Sequence, residues 1–123
     1  MTNKREYTIK SEVQGKIFKI HSTGPLGEDA GQELESLVKE GLAKNHRHFV
    51  FNFGYAKAIS SPAVAAILNA IESIVDGNGG KACVTGLTEL NMKVFEMVGI
   101  LLYAEMCATL PEAEVRVLLE AKP

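Results

Sequence analysis

The sequence lacks several features that mark whole classes of protein. It contains no tryptophan and no block of basic residues, and its formal net charge is −2, whereas a nucleic-acid-binding protein usually carries a concentrated positive surface. No run approaches the roughly 18 uninterrupted apolar residues of a membrane-spanning helix, and the opening MTNKREYTIKSE has no apolar segment of the signal-peptide kind. These absences disfavour a nucleic-acid partner and membrane insertion, and they predict a protein that stays in the cytoplasm.

Cysteine and histidine are too few and too scattered to predict a metal site. Cys83 and Cys107 each lie in an apolar segment typical of a strand, so we expect buried thiols in a reducing compartment rather than a disulfide or a metal pair. His46 and His48 are two residues apart, which suits neither a helical metal site nor a zinc finger, and we expect both to be solvated. The glycine cluster at 77–80 precedes a strand, which favours a turn over a phosphate-binding loop. We therefore expect no metal and no cofactor.

What the sequence does contain is one domain's worth of alternating strands and helices over residues 1–123. The predicted elements are a β-hairpin around Gly15 (6–14 and 16–21), a loop at 24–27, a helix at 28–44, a strand at 48–53, a loop at 54–59, a helix from 60–62 to 75, a strand at 81–85, a helix at 89–98, a strand at 101–107 and a helix opened by Pro111. This order indicates an α/β sandwich with a mixed central sheet of about four to five strands and about four helices.

The helix that follows the strand at 48–53 has two distinct sides. One side carries the apolar stripe of a core-facing helix, made of Val64, Ile67, Leu68, Ile71 and Val75. The other side is small and weakly polar, made of Ala63, Ala66, Ala70 and Ser73. We expect the small side to be an outer surface that meets another protein. In the helix at 89–98, the residues expected to face inward are Leu90, Val94, Phe95 and Val98.

Ser61 stands at the start of this central helix and has two possible roles. Serine is a favoured N-cap and proline is favoured at the first helical position, so Ser61 and Pro62 together suit a purely structural cap. The same place suits a regulatory phosphate, because the positive end of a helix tolerates negative charge. The residues alone leave both roles open. They disfavour a serine enzyme, since no G-x-S-x-G elbow surrounds Ser61.

Taken together, these elements resemble a STAS domain, the fold shared by anti-sigma factor antagonists and the cytoplasmic tails of sulfate transporters. The resemblance covers nearly the whole chain and lies in the opening hairpin, GPLG, FVFNF, AISSPAVAAIL, ACVTGL and the helix that ends in MVGI. The most specific part is AISSPAVAAIL. In bacterial antagonists the matching segment starts a helix with a serine or threonine that a partner kinase phosphorylates, and the resemblance places that phosphoacceptor on Ser61, with Ser60 as the alternative.

Three positions depart from the family pattern. Ile59 stands where the family often has aspartate, Pro62 stands where it often has glycine, and Asn52 stands where many relatives carry aspartate.

The resemblance implies a non-enzymatic bacterial regulatory module. Its partner would be an anti-sigma factor, itself a serine kinase of the histidine-kinase-like ATPase class, which this chain would release when Ser61 is phosphorylated. ATP would belong to that partner. If the strands at 48–53 and 81–85 are parallel neighbours, Thr88 would lie near Ser61. The residues expected to contact the partner are Pro25, Leu26, Tyr55, Ile59, Ser60, Ser61, Pro62, Ala63, Ala66 and Thr88.

A second function is also consistent with the resemblance. STAS-like subunits serve as constitutive scaffold components of larger complexes, such as stressosome-like and lipid-transport assemblies, and in that role Ser61 would be only a helix cap. A homodimer is compatible with either function.

Overall fold

The protein, described here by a computed structural model of residues 6–119, has a five-stranded sheet covered by helices on both faces. The elements are β1 (Thr8–Gln14), β2 (Ile17–Leu26), α1 (Glu28–Ala43), β3 (His48–Ile59), α2 (Ser61–Val75), β4 (Lys81–Thr85), α3 (Glu89–Met97), a 3₁₀ helix (Ile100–Leu102), β5 (Ala104–Cys107) and α4 (Leu110–Leu118). The predicted α/β sandwich with a mixed sheet and four α-helices is confirmed.

The strands lie in the sheet in the same order as in the chain. β1 and β2 form the predicted antiparallel hairpin, in which Gly15 has a φ of 58°, a backbone conformation that glycine adopts without strain. β2, β3, β4 and β5 are parallel to one another. The carboxyl ends of these four strands therefore meet at one edge of the sheet, where α1, α2 and α3 begin. We call it the carboxyl edge, and the opposite one the amino edge.

Alternating side chains along the strands divide the interior into two parts. The larger core contains the aromatic residues of β2 and β3 and is covered by α1, α2 and α3, with Phe18, Phe49, Phe51, Phe53 and Phe95 among its members. The smaller core lies under α4 and contains Ile17, Val50, Cys83, Cys107, Ala113 and Val117. Period-2 alternation predicts such a two-sided burial for central strands of a covered sheet.

The loops predicted at 24–27 and 54–59 are wrong, because β2 and β3 continue through most of them. Gly24 pairs with Ala56 beyond a first irregularity in the register, and Leu26 pairs with Ile59 beyond a second. Gly24 has a φ of 79°, and a Cβ there would collide with the carbonyl oxygen of Glu6. Glycine and proline in these segments predicted loops because both residues are uncommon inside strands. The strands tolerate them because the irregular pairing between β2 and β3 accommodates special backbone conformations.

Helix α3 faces the core with only part of the predicted side, since Val94 and Phe95 contact the core as expected and Leu90 and Val98 do not. Phe95 is buried with its ring edge-on to Phe53, and the buried Asn91 donates a hydrogen bond from Nδ2 to the carbonyl oxygen of Lys57 at 2.9 Å. Leu90 is 71% exposed and Val98 is 43% exposed, so their predicted inward orientation is wrong. The ring contact of Phe95 and the side-chain hydrogen bond of Asn91 thus set the rotation of the helix about its axis.

The predicted strand at 101–107 begins later, at Ala104, because the chain first forms the 3₁₀ helix. Gly99, with a φ of 87°, ends α3 and turns the chain into that short helix. Glycine at this left-handed position is the usual way for a helix to stop.

The prediction of two buried thiols is confirmed. Cys83 and Cys107 are both free and buried on neighbouring strands. Burial raises the pKa of Cys83 to about 12 and also raises the pKa of Cys107. Both thiols therefore stay protonated at neutral pH, a state in which sulfur is a poor nucleophile and a poor metal ligand. Over residues 6–119, no three histidine, cysteine or acidic side chains are grouped so as to hold a metal ion.

No helix in the described part of the chain combines the length and the apolar character needed to cross a bilayer.

Candidate functional site

The start of α2 lies at the carboxyl edge and is held by Ser60 rather than by Ser61. Ser60 has extended backbone angles, and its Oγ accepts a hydrogen bond from the N–H of Ala63 at 3.3 Å. Its own N–H donates to the carbonyl oxygen of Leu26 at 2.9 Å. Ser61 is the first residue of the helix and Pro62 the second. The prediction that Ser61 is the N-cap is therefore wrong by one residue.

This one-residue shift leaves the side chain of Ser61 exposed and without a capping role. Pro62 has no N–H, and the N–H of Ala63 is already bonded to Ser60. The N–H of the first turn that could bind an anion is therefore that of Ser61. The first turn contains no acidic residue. An anion on Ser61 would thus face the positive end of a helix of 15 residues without a neighbouring negative charge in that turn.

The two serines can be distinguished by their effect on stability. We expect Ser60→Ala to lower the free energy of unfolding by about 1 kcal/mol, because it removes the capping oxygen. We expect Ser61→Ala to change it by less than about 0.5 kcal/mol, as is usual for an exposed substitution. Urea denaturation of both variants measures the difference, and an equal loss in the two would contradict the assignment of the cap.

The small side of α2 is not an outer surface, and the prediction that it meets a partner is wrong. Ala63 is 0%, Ala66 8% and Ala70 1% exposed. Ala63 and Ala66 lie against α1, where a Cβ added to Gly31 would stand 3.0 Å from Ala63 Cα and 3.0 Å from Ala66 Cβ. The small residues are needed because the two helices approach each other closely. Ala63 and Ala66 therefore cannot contact a partner in this structure.

The exposed side of α2 is formed by other residues. Pro62, Ala65 and Asn69 face the solvent in the first two turns after Ser61. Any protein that contacts the helix beside Ser61 would meet these side chains instead of the predicted alanines.

The remaining predicted contact residues have unequal access to solvent. Pro25, Tyr55, Ser61, Pro62 and Thr88 are exposed, Tyr55 to the extent of 78%. Ser60 and Ile59 are half-buried, and Leu26 is 2% exposed, so the expectation that the Leu26 side chain meets a partner is wrong.

The departure at Ile59 has a structural reason. Ile59 pairs with Leu26 at the end of β3 and packs against the core, where an unpaired carboxylate would be costly. At Asn52 the oxygen Oδ1 accepts the N–H of Gly54 at 2.9 Å, a bond that an aspartate oxygen could also accept, so only the amide nitrogen distinguishes the two residues. The Nδ2 of Asn52 lies 3.0 Å from Nδ1 of His21.

Thr88 begins α3 at the same edge as Ser61 begins α2. β3 and β4 are adjacent and parallel, which is the condition on which Thr88 was expected near Ser61. The Oγ1 of Thr88 accepts the N–H of Asn91 at 3.1 Å, so Thr88 is the N-cap of α3. Because Asn91 also bonds to the carbonyl oxygen of Lys57, the start of α3 is tied to the terminal part of β3, which leads directly into Ser60.

An exposed apolar surface on α3 and on the 3₁₀ helix after it was not predicted from the sequence. Leu90, Met97 and Leu102 are 71%, 85% and 83% exposed. The spacing of residues 90, 94, 97 and 101 shows a helical stripe, but such a stripe is normally read as a core-facing side. Only the contacts of Asn91 and Phe95 reveal that another side is buried.

None of the three histidines is hydrogen-bonded to Ser61. Nε2 of His21 lies 3.0 Å from Oε1 of Glu12, and this contact, followed by the charge of Lys19, lowers the pKa of Glu12. His46 is half-buried against the ring of Phe18, so it is only partly solvated. His48 is also half-buried. It begins β3, whose last residue is Ile59, so it lies about 35 Å along the strand from the start of α2.

Searches by sequence alone find no match, either to a family model or to a curated protein. Comparison with solved structures does find relatives of the fold. An anti-sigma factor antagonist from Mycobacterium paratuberculosis is similar with a TM-score of 0.78 and 14% identity, over 90% of this chain and 93% of that one. SpoIIAA, an anti-sigma factor antagonist in its unphosphorylated form, is similar with a TM-score of 0.73 and 19% identity, over 89% of this chain and 97% of that one.

The phosphorylated form of SpoIIAA from Bacillus, described as a cell fate determinant, is similar as well. Its TM-score is 0.72 and its identity 20%, over 89% of this chain and 99% of that one. These values show that the chain has the fold of the anti-sigma factor antagonists, as the resemblance implied. SpoIIAA, one of these similar proteins, has structures in both its phosphorylated and its unphosphorylated form.

Proposed function

We propose that this chain, which has the fold of the anti-sigma factor antagonists, is a non-enzymatic regulatory module that binds an anti-sigma factor and is switched by phosphorylation of Ser61. The observation that carries the proposal is the exposed hydroxyl of Ser61 at the first position of α2. Ser60 already supplies the cap, so a group can be attached to Ser61 without removing a bond that holds the helix.

The partner in this proposal is a serine kinase of the histidine-kinase-like ATPase class, and both proteins would act in the cytoplasm. The kinase would transfer the γ-phosphoryl group of its ATP to Oγ of Ser61, with ADP as the leaving group and the hydroxyl proton passing to a base of the kinase. The fold supports this partner, because the similar structures are anti-sigma factor antagonists. This chain would supply only the acceptor oxygen.

The contact surface in this proposal is the exposed part of the carboxyl edge. It contains Pro25, Tyr55, Ser61, Pro62 and Thr88, all of them exposed. We include the exposed side of α3 with Leu90 and Met97, because α3 begins at this edge. Apolar side chains of this kind supply the buried area that a specific interface requires.

Phosphorylation would act on binding more than on folding. A phosphate adds nearly two negative charges, and the helix end stabilises them. In the bound state the same charges would lie in an interface, where an unpaired charge costs several kcal/mol. Since each ~1.4 kcal/mol is a tenfold change in affinity, the modified protein would leave its partner while it stays folded.

The mass of the intact protein isolated from its own cells tests this proposal. We expect a species heavier by one phosphoryl group, which is present in wild type and in Ser60→Ala and absent in Ser61→Ala. A species lost only in Ser60→Ala would move the acceptor to Ser60. If wild type is never modified across growth and stress conditions, the switch is wrong and the constitutive scaffold function replaces it.

A further inference from the structure

The amino edge of the sheet, opposite the edge that bears Ser61, contains a cleft of about 780 Å³. Its charged wall is formed by Lys16, Arg47, His48 and Lys81. Its apolar wall is the end of α4 and the residue after it, 117–119. A second hollow of about 400 Å³ shares Lys16, Arg47 and His48 with the cleft and adds Lys44. The protein has a net charge of −2, so this concentration of positive charge is a local feature.

Arg47 is held in position by neutral groups. Its Nη1 donates to the carbonyl oxygens of Leu42 at 3.1 Å and His46 at 2.8 Å. These two bonds orient the guanidinium without neutralising it. A preoriented guanidinium loses little entropy when it binds an oxyanion through two parallel N–H groups.

The other cations of the cleft are only partly balanced by acidic residues. Nζ of Lys81 donates to the carbonyl oxygen of Leu119 at 2.8 Å and lies 4.0 Å from Oε1 of Glu105. Glu105 is at the same time paired with Arg116. Lys44 is paired with Glu40 at 3.6 Å, outside the larger cleft. The carboxylates of Glu40 and Glu105 therefore pair with Lys44, Lys81 and Arg116. Neither of them pairs with Lys16 or Arg47, whose positive charges remain available to a ligand in the cleft.

The pKa of His48 reflects the positive charge around the cleft. Burial lowers the pKa of His48, and the nearby charges of Lys16 and Lys81 lower it further. Both lysines are thus close enough to oppose a third positive charge in the cleft. An anion in the same place would be attracted by the same charges.

The glycine turn beside the cleft does not hold an anion through its backbone. The N–H of Gly79 donates to the carbonyl oxygen of Val75 and that of Gly80 to the carbonyl oxygen of Ile74. A ligand would therefore be held by side chains, which agrees with the prediction that residues 77–80 are a turn.

We propose that this cleft binds a small molecule that carries a phosphate group on an apolar body. The phosphate would lie against Arg47 and Lys16, and the apolar body would lie on Leu118 and Leu119, which are 44% and 51% exposed. The volume is that of a typical small-molecule site. This site is independent of the proposed role of Ser61, since it lies at the other end of the parallel strands.

Amide NMR spectra of the full chain during titration with phenyl phosphate at constant ionic strength test this proposal. We expect saturable shifts at residues 44–48, 79–81 and 117–119, and weaker binding of inorganic phosphate, which lacks the apolar body. Lys16→Gln should weaken binding about tenfold, the equivalent of one charge-assisted contact. Arg47→Lys should weaken it also, because lysine keeps the charge but lacks the fork.

Lys93→Gln is the matched control, because Lys93 is an exposed lysine on α3 outside the cleft. It should bind as wild type does, and Lys16→Gln and Lys93→Gln should both melt with wild type. Shifts spread evenly over surface lysines, or equal binding by wild type and Lys16→Gln, would overturn the proposal. Binding to phosphatidic acid vesicles without binding to phenyl phosphate would overturn it too, in favour of a lipid surface.

Discussion

Replacing Ser61 with aspartate is expected to weaken binding of the proposed anti-sigma partner about a hundredfold without destabilising the fold. The substitution places a negative charge in the proposed interface, and a penalty of about 3 kcal/mol corresponds to two orders of magnitude in affinity. The same charge lies at the first position of α2, where the helix dipole favours it. Titration calorimetry with the purified kinase and thermal melting of the free protein measure the two effects.

Ser61→Asn is the matched control for this prediction. Asparagine has nearly the size and shape of aspartate but no charge, so it should retain most of the affinity. A similar loss in both variants would show that the site senses size rather than charge. Full affinity in Ser61→Asp would remove Ser61 from the interface, although it would leave the anion site at the amino edge untouched.

Introducing a carboxylate at Ala63 is expected to destabilise the protein by several kcal/mol. The Ala63 side chain is 0% exposed and lies in the close contact between α1 and α2, so Ala63→Glu would bury an unpaired charge in a space that has no room for it. A penalty of about 3–5 kcal/mol is a large part of the stability of a small domain. Urea denaturation followed by circular dichroism should show a lower midpoint or an unfolded chain.

Ala65→Glu controls for the loss of alanine itself. Ala65 lies two residues further along the same helix but faces the solvent, so its substitution should change the free energy of unfolding by no more than about 0.5 kcal/mol. If Ala63→Glu were as stable as Ala65→Glu, the small side of α2 would be accessible after all. The contact residues predicted from the sequence, Ala63 and Ala66, would then return to the proposed interface.

The two proposed sites lie at opposite ends of the parallel strands. At the carboxyl edge, Ser61 and Thr88 begin helices α2 and α3 and offer hydroxyls near helix ends. At the amino edge, Lys16 and Arg47 surround a cleft with cationic side chains. Because β3 runs from His48 at the cleft to Ile59, the residue before Ser60, a ligand in the cleft and a partner at Ser61 can be tested for coupling by measuring one affinity in the presence of the other.

The sequence by itself determined the order and type of nearly every element, because these depend on local patterns. The short apolar segment KACVT predicted β4 at residues 81–85, where the structure has it, and turn formers bounded it on the amino side. The start of α2 was found because serine and proline favour the first positions of a helix. The resemblance of AISSPAVAAIL then directed attention to Ser61.

Only the tertiary structure decided which side of each helix is covered. The small side of α2 looked like an outer surface, but Gly31 of α1 brings that helix against Ala63 and Ala66. Leu90 and Val98 of α3 looked like core residues, but the contacts of Phe95 and Asn91 fix a rotation of the helix that leaves both exposed. The basic cleft joins residues from four separate segments of the chain. Burial depends on contacts between residues distant in the chain, and a local pattern records that a side is apolar or small without recording what lies against it.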